Sequence, residues 1–204
     1  MKRILIVFAK EPQEGRVKTR LLDCLSAREC LKLYKKLLKN TVSLARKVKC
    51  SGRIMAYDSY NQRAPFLERI ASDFTFYKQA GRGLGARMFD VFKAILKSNT
   101  KAVIIGSDSP NLPINYIDRA FEKLSKNDLV LGPADDGGYY LIGLKQPCKK
   151  LFENIKWSSG TVFDRTVKKA KKLKKKTTVL DYWYDIDEPK DLKYIRKKPE
   201  SVDR

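Results

Sequence analysis

Short apolar runs alternate with amphipathic stretches along most of this chain. Residues 3–9 form a run of Ile, Leu, Val and Phe that stops at a charged loop, as a buried parallel strand does. Similar runs predict further strands at residues 53–57, 74–78, 102–107, 128–132 and 139–144. The hydrophobic pattern therefore predicts a sheet built from several short strands.

Helical patterns separate most of these predicted strands. Ser26 and Glu29 have the spacing of a capping box, and apolar residues then recur at helical spacing from Leu31 to Val48. Two further helical patterns run over residues 84–95 and 117–124. Because strands alternate with helices, we expect a mostly parallel sheet with helices on both faces.

The last third of the chain departs from this alternation. Only a stretch of Pro, Asp and Gly separates the runs at 128–132 and 139–144, and it is too short for a crossover helix. At least one antiparallel strand is therefore expected there. No repeat, linker or low-complexity segment divides the chain, so we expect one α/β domain over residues 1–198 and a tail at 199–204.

The composition fits a single packed domain. The chain has 204 residues, of which 43% are hydrophobic, and no apolar stretch approaches the length of a membrane-spanning helix. The first apolar run has no signal-peptide cleavage pattern after it, so we expect a cytoplasmic protein. The four cysteines lack CxxC spacing and the chain has no histidine, which disfavours a zinc site or a disulfide framework.

The charge balance favours anionic partners. The chain carries 44 Lys and Arg residues against 23 Asp and Glu residues, a formal net charge of +21. Nucleotides, sugar phosphates, nucleic acid and anionic membrane surfaces would all be attracted, so the charge does not choose among them. The densest basic run, Lys168 to Lys176, is interpreted as the solvated end of a helix, with a nucleic-acid-binding arm as the alternative.

A basic loop follows the first predicted strand. In open α/β sheets ligands bind beyond the carboxyl ends of the strands, which makes this loop the first candidate site. One glycine gives access to its backbone and several cations are able to face phosphate oxygens. It lacks the glycines that a Walker A loop needs, so a P-loop enzyme is disfavoured. A plain basic surface loop remains the alternative. The candidate nucleotide-binding residues are Lys10, Gly15, Lys18, Thr19 and Arg20.

A glycine-rich turn joins the third predicted strand to the next helix. Its glycines would let a ligand approach the backbone at the N-terminus of the helix, where free N–H groups favour anions. The Gln79 amide is a candidate to recognise the edge of a base. A tight turn without a ligand is an equally good interpretation of this segment alone. The candidate nucleotide-binding residues are Gln79, Gly83, Gly85 and Arg87.

Asp108 follows the predicted strand at 102–107 and is the strongest single candidate. Hard divalent cations prefer carboxylate oxygens together with substrate phosphates, and an Asp at the end of a strand supplies such an oxygen. The alternative is that Asp108 forms an Asx-turn before Pro110. We expect Mg²⁺ or Mn²⁺ at Asp108, which would also be a catalytic residue.

Two acidic clusters stand out in so basic a chain. Asp135 and Asp136 precede Gly137 and Gly138, and carboxylates flanked by glycines are able to orient substrate hydroxyls or accept a proton. Asp136 is thus a second candidate catalytic residue, and its three neighbours are candidates for substrate binding. The second cluster contains Asp185, Asp187 and Glu188; here Asp187 is the N-cap of a following helix, a second metal ligand, or both.

Together these segments resemble a family of small glycosyltransferases with the GT-A fold, described as DUF2064 or as radical-SAM/selenodomain-associated transferase-like proteins. The similarity covers most of the chain and keeps the segments in order. The matching residues are Lys10, Pro12, Gly15 and Val17 to Arg20; Gln79, Gly83 to Gly85 and Arg87; Gly106 to Pro110, Leu112 and Pro113; Gly132, Pro133 and Asp136 to Tyr140; and Asp185 to Asp187, Pro189, Asp191 and Leu192.

The resemblance implies a three-layer α/β sandwich of the nucleotide-diphospho-sugar transferase type. It also implies a nucleotide or nucleotide-sugar held by the first loop, a base near Gln79, and a metal at Asp108 with Asp187 as its partner. Glycosyl transfer to an unknown small-molecule acceptor is the leading prediction. Nucleotidyl transfer stays open because Asp108 lacks a second acidic residue in DxD spacing. A basic nucleic-acid-binding module without catalysis is the second alternative.

Overall fold

A computed structural model describes residues 1–157 and 159–196 of the chain. These residues form seven strands: β1 (Lys2–Lys10), β2 (Gly52–Asp58), β3 (Thr75–Lys78), β4 (Thr100–Ile105), β5 (Leu129–Pro133), β6 (Tyr139–Leu144) and β7 (Thr177–Val179). The helices are α1 (Ala27–Lys47), α2 (Pro65–Ile70), α3 (Leu84–Ile95), α4 (Ile114–Lys123), α5 (Lys149–Phe152), α6 (Val162–Lys172) and α7 (Lys193–Arg196). Two 3-10 helices cover Thr19–Leu21 and Pro189–Leu192.

The strands form one sheet in the order β3-β2-β1-β4-β6-β5-β7. Neighbouring strands are parallel except that β6 runs antiparallel to both β4 and β5. The predicted α/β architecture and the antiparallel strand in the last third are thus confirmed. Because β6 is reversed, the β5–β6 loop lies at the same edge of the sheet as the carboxyl ends of β1 to β4. We call this edge the carboxyl edge.

The core lies on both faces of the sheet. Leu5 and Val7 of β1 point into one apolar cluster, which α1 and α4 cover. Ile6 points into the other, which contains side chains of α3 and α6. Alternate residues of a strand face opposite sides, so a strand buried on both faces needs a continuous apolar run. This explains why the run at residues 3–9 predicted β1 so clearly.

The predicted capping box begins α1. The Glu29 N–H donates to Ser26 Oγ at 3.3 Å, and the Ser26 N–H donates to the Glu29 carboxylate at 2.8 Å. These contacts satisfy backbone donors that the first turn of a helix leaves free. The prediction is confirmed, and α1 then packs Tyr34 and Leu38 against the sheet.

Some elements were not predicted from the sequence. Strand β7 has only three residues and directly follows the basic run, so no apolar pattern marks it. Helix α2 begins with Pro65 and has only six residues, which is too short to show a helical period in the sequence. The basic run itself covers the end of α6 and the turn after it, and Lys168 and Lys172 are exposed. This agrees with the solvated helix end that we expected.

No helix among the described residues is long and apolar enough to span a membrane. The predicted tail at residues 199–204 lies outside the described part of the chain.

Candidate active site

The candidate residues meet along the carboxyl edge in the order of the strands. Gln79 follows β3, Asp58 ends β2, Lys10 ends β1 and Asp108 follows β4. The β5–β6 loop with Asp136 comes next, because β6 pairs with β4. The site is therefore a row, with the glycine-rich turn at one end and the acidic residues at the other.

Lys18 and Asp108 form the centre of the acidic end. The Lys18 ammonium lies 2.5 Å from Asp108 Oδ1 and donates to the Ile186 carbonyl oxygen at 2.5 Å. Only 3% of the Lys18 side chain is exposed, against 38% of the Asp108 side chain. The lysine predicted to hold phosphates thus contacts a carboxylate and a carbonyl in this structure. The Lys18 backbone is left-handed, with φ at 53°.

The other loop residues predicted to bind a nucleotide are exposed. Gly15 has a φ of 72°, which favours glycine, and Thr19 starts a 3-10 helix. The Arg20 guanidinium contacts the Asp187 carboxylate at 2.9 Å and approaches Glu188 at 3.9 Å. Lys18 approaches Asp187 at 3.9 Å as well. The first loop and the segment around Asp187 therefore share one network of charges.

Asp187 is not the N-cap of the following helix, so that alternative is wrong. The N-cap of the 3-10 helix at Pro189–Leu192 is Glu188, and the Asp191 side chain accepts from the Glu188 N–H at 2.8 Å. The capping position moves by one residue because the helix starts at Pro189. The Asp187 carboxylate faces Lys18 and Arg20 instead. Burial raises the pKa of Asp187, the Lys18 ammonium opposes this shift, and the Asp108 charge adds to it.

Asp185 belongs to the same network; it lies in an acidic cluster identified from the sequence, where no role of its own was predicted for it. It accepts a hydrogen bond from the Ser109 hydroxyl. Burial raises its pKa to about 7, and the negative charges of Asp108 and Asp136 add to this effect, whereas the Ser109 hydrogen bond opposes it. The signal in the sequence is the spacing of Asp185 and Asp187 around Ile186, because alternate residues of an extended segment face the same side.

The side chains around Asp108 supply some of the ligands that a hard cation needs, but not a complete set. Asp108 Oδ1 is buried, and its partner among the described residues is the Lys18 ammonium at 2.5 Å. Within the described part of the chain, no three Cys, Asp or Glu side chains are grouped to hold a metal ion by themselves. Mg²⁺ is commonly bound by one or two carboxylates together with substrate phosphates. The donor set suits a cation that arrives with a phosphorylated ligand.

A cavity of about 380 Å³ lies between the first loop and the end of β2. Arg16 and Tyr60 line it together, with the guanidinium carbon 4.6 Å from the centre of the tyrosine ring. Lys10 and Asp58 line it as well, and Lys10 is exposed whereas Asp58 is half-buried. Asp58, Arg16 and Tyr60 were not among the predicted site residues, although Asp58 directly follows a predicted strand. The lining residues are Lys10, Glu11, Gln13, Arg16, Val17, Asp58, Ser59 and Tyr60.

Two residues predicted to contact a nucleotide have internal partners. The Gln79 amide donates to the Ala56 carbonyl at 2.9 Å and to the Ala9 carbonyl at 3.3 Å. The Arg87 guanidinium is paired with Asp58. Gln79 links the ends of β1, β2 and β3, and Arg87 links α3 to the end of β2. If these side chains also bind a base, they would use the donor and acceptor atoms that the internal contacts leave free.

The two predicted glycines of this turn differ in their surroundings. A Cβ on Gly83 would meet no atom within 4 Å, and its φ is 86°, so an approaching ligand has access to the backbone there. A Cβ on Gly85 would lie 2.4 Å from the Trp157 indole ring. The space beside Gly85 is therefore filled by a side chain of the protein, and the indole also contacts Tyr139 edge to face.

Asp135 and Asp136 are exposed at the mouth of the acidic end. One Asp136 oxygen accepts from the Gly138 N–H at 2.8 Å, which fixes the carboxylate in a local turn. Gly137 has a φ of 79°, and a Cβ there would lie 2.1 Å from the Gly160 carbonyl oxygen. Glycine at this position lets the two loops touch. The predicted substrate-binding residues thus form a rigid turn beside Asp185 and Asp187.

Solved structures with this fold include proteins that act on nucleotides. A proposed nucleotide-diphospho-sugar transferase from Desulfovibrio desulfuricans G20 is 27% identical, with a TM-score of 0.89 over 99% of this chain and 90% of that chain. The 4-diphosphocytidyl-2C-methyl-D-erythritol synthase of Anaerococcus prevotii DSM 20548 has a TM-score of 0.62 at 11% identity, over 96% of this chain and 97% of that chain.

A third solved structure is the synthetase of CMP:2-keto-3-deoxy-manno-octonic acid in complex with CTP. It has a TM-score of 0.55 at 10% identity, over 96% of this chain and 96% of that chain. At these low identities the two synthetases show the fold alone. The fold is therefore that of the nucleotide-diphospho-sugar transferases, which confirms the predicted fold class.

Sequence comparison identifies the family. No curated protein matches the chain. Residues 41–159 match the sequence model of a family described as "Uncharacterized protein conserved in bacteria (DUF2064)". The match covers more than half of the chain and includes the glycine-rich turn, Asp108 and the β5–β6 loop. This chain belongs to the DUF2064 family.

Proposed function

We propose that the protein is a transferase that uses a nucleotide-activated donor together with Mg²⁺ or Mn²⁺. The observation that carries this proposal is Asp108: its carboxylate stands at the carboxyl edge beside the basic loop, and among the described residues the partner of its buried Oδ1 is the Lys18 ammonium of that loop. A bound divalent cation would neutralise the diphosphate that leaves in such a reaction. Membership of the family and the likeness to a proposed nucleotide-diphospho-sugar transferase support the same assignment.

The row of residues suggests how a donor would lie. The cavity of about 380 Å³ next to Lys10 and Arg16 offers room for part of a nucleotide, and the open backbone of Gly83 lies in the turn after β3, the strand next to β2. Exposed Lys10, Arg16 and Arg20 would contact the phosphates. The phosphates would then lie between the cavity and Asp108, with the transferred group toward the β5–β6 loop.

The transferred group would meet the acceptor at the acidic end. In glycosyl transfer an acceptor oxygen attacks the anomeric carbon, the bond from that carbon to the β-phosphate oxygen breaks, and a nucleoside diphosphate leaves. Asp136 is exposed and held by Gly138, so it is the candidate to orient the acceptor or take its proton. Asp187 is the candidate second ligand of the cation.

Nucleotidyl transfer is the second candidate, and one observation favours it. Asp108, the candidate metal ligand after β4, has no second acidic residue in DxD spacing, and the other candidate ligand, Asp187, comes from a separate segment near the C-terminus. In this reaction an acceptor oxygen attacks the α-phosphorus of a nucleoside triphosphate and pyrophosphate leaves. Both reactions would use the same row of residues.

Thermal denaturation would test the donor class. Protein freed of nucleic acid would be melted with a panel of nucleoside triphosphates and nucleotide-sugars, with and without Mn²⁺. A ligand at 100 times its dissociation constant stabilises a protein by about 2.7 kcal/mol, which shifts the midpoint measurably. Phosphorus NMR of the products then separates the reactions, because glycosyl transfer releases a nucleoside diphosphate and nucleotidyl transfer releases pyrophosphate.

Replacing Asp108 tests the cation. Asp108→Asn keeps the shape of the side chain but removes the charge that holds a hard ion, so Mn²⁺-dependent nucleotide binding should be lost. Asp118→Asn is a matched control, because Asp118 on α4 has a buried carboxylate oxygen as Asp108 does. If Asp108→Asn and Asp118→Asn both bind nucleotide and Mn²⁺ as the parent does, Asp108 is not in the metal site and the proposal fails.

A further inference from the structure

Lys18 is an unusual residue for a phosphate-binding loop because its charge is turned inward. Its side chain is 3% exposed, whereas its neighbours Thr19 and Arg20 are exposed. A buried ammonium is costly unless carboxylates and hydrogen-bond acceptors replace the water that it loses. Here Asp108 and the Ile186 carbonyl supply that replacement, each at 2.5 Å from the nitrogen.

The contacts of Lys18 join three parts of the site that are distant in the sequence. Asp108 follows β4, Ile186 lies near the C-terminus, and Lys18 itself belongs to the first loop. The Asp108 carbonyl also accepts from the Ile186 N–H at 2.9 Å, so a backbone hydrogen bond joins the two segments independently of the lysine. Asp187 stands 3.9 Å from the same ammonium. The ammonium is therefore the positive centre of this group of carboxylates.

We propose that Lys18 is an internal cation that competes with a divalent cation for Asp108. In the ligand-free protein the ammonium satisfies Asp108 and faces Asp187. A divalent ion bound to Asp108 would stand within a few ångströms of the ammonium, and like charges at that distance repel strongly where water is scarce. Lys18 therefore has to withdraw when the ion binds. This proposal rests on the proposed function, which assigns a divalent cation to Asp108.

The backbone of Lys18 links this exchange to the phosphate loop. A residue other than glycine with a φ of 53° is held there by its surroundings. The anchored side chain is one such restraint, so withdrawal of the ammonium frees the turn between Val17 and the 3-10 helix at Thr19–Leu21. Released toward the loop, the ammonium would become available to the phosphates of a donor. Lys18 would thus couple cation binding to the binding of the donor phosphates.

Titration with Mn²⁺ alone tests the exchange. Free Mn²⁺ is measured by electron paramagnetic resonance for the parent, for Lys18→Met, and for Lys168→Met. Met keeps an unbranched side chain without charge, and Lys168 is an exposed residue of α6 whose replacement makes the same change in net charge. We expect Lys18→Met to bind Mn²⁺ at least tenfold more tightly than the parent, and Lys168→Met to bind as the parent does.

A merely structural role for Lys18 gives the opposite result. Both ideas predict a lower melting temperature for Lys18→Met without metal, because Asp108 loses its positive neighbour. Only the exchange predicts tighter Mn²⁺ binding. Equal or weaker Mn²⁺ binding by folded Lys18→Met overturns the proposal.

Labelling of the parent protein decides the question if Lys18→Met does not fold. An amine-acetylating reagent followed by mass spectrometry reports how accessible each lysine is. Lys18 should be protected without metal and should react faster with saturating Mn²⁺, while Lys168 keeps one rate. An unchanged or slower rate at Lys18 with Mn²⁺ overturns the exchange.

Failure of the proposed function looks different from failure of the exchange. If neither the parent nor Lys18→Met binds Mn²⁺, with or without nucleotide, then the cation itself is wrongly assigned. If the parent binds Mn²⁺ and nucleotide but Lys18→Met gains no affinity for Mn²⁺, the function stands and only the role of Lys18 is wrong.

Discussion

Gly85 allows a quantitative test of how the glycine-rich turn is built. This residue is buried in the first turn of α3, and a Cβ added to it would lie between 2.4 and 2.7 Å from three atoms of the Trp157 indole. Real Cβ atoms do not approach other atoms so closely, so the ring or the helix has to move. Gly85→Ala should therefore destabilise the protein although alanine is the better helix former.

The two opposing effects have comparable sizes. Alanine in place of glycine inside a helix is favourable by about 0.8 to 1.0 kcal/mol. Overpacking a well-filled site typically costs about 1 to 3 kcal/mol, and the rigid indole places Gly85 toward the upper part of that range. We expect a net loss of about 1 to 2 kcal/mol in the free energy of unfolding. For a domain of this size each kcal/mol shifts the melting temperature by about 2 to 4 °C.

A double-mutant cycle isolates the contact with Trp157. Chemical denaturation would be measured for Gly85→Ala in the parent and in a Trp157→Leu background, where the ring is gone. There the same substitution should become neutral or stabilising, since only the helix preference remains. Gly83→Ala is the control: it meets no atom within 4 Å but has a φ of 86°, so backbone strain should make it destabilising in both backgrounds. An equal effect of Gly85→Ala in both backgrounds would refute the argument.

Two further predictions concern stability. Lys101 on β4 is buried, donates to the Phe121 carbonyl at 2.6 Å, and has a pKa below its usual value because of burial. Lys101→Met should cost about 1 to 3 kcal/mol because it leaves that carbonyl unpaired. Between the lowered pKa of folded Lys101 and 10.5, the unfolded chain binds more protons than the folded chain, so the parent should gain stability relative to the variant as pH rises toward 10.5. Urea denaturation at several pH values would show this gain. Ser26→Ala removes the capping box of α1 and should cost about 0.5 to 2 kcal/mol in the same assay. Ser43→Ala, on the exposed face of α1, should leave the free energy of unfolding almost unchanged. Equal costs for the two variants would count against the capping argument.

The sequence predicted those parts of the fold that depend on local pattern. Strand β4 is buried along its whole length, so its apolar run was visible without knowledge of its neighbours. The capping box of α1 needs only Ser26 and Glu29 at the right spacing. Strand β7 was missed because its three residues owe their conformation to pairing with β5 across the edge of the sheet. That pairing is a tertiary effect which no short window contains.

For the site as well, the local features could be predicted and the long-range contacts could not. Asp108 was found because a carboxylate after a buried strand is a local signal with a known chemical use. The burial of Lys18 could not be predicted, because its partners Asp108 and Ile186 lie far along the chain and lysine is almost always exposed. Nor could the contact between Gly85 and Trp157, since a glycine in the sequence does not say whether a ligand or a side chain takes the free space.

In the proposed function, the charges that attract a nucleotide from a distance are not the charges that it meets in the site. A net charge of +21 attracts a nucleotide over distances that salt limits to about 8 Å under physiological conditions. At shorter range the donor would meet Asp108 and Asp187, whose charges repel phosphate oxygens. A divalent ion changes that local balance, and so does an ammonium that turns from the carboxylates toward the phosphates. The basic surface by itself therefore does not account for selective binding at this edge. In the proposed function, selectivity for a nucleotide arises where the acidic residues exchange the Lys18 ammonium for a cation that the donor brings with it.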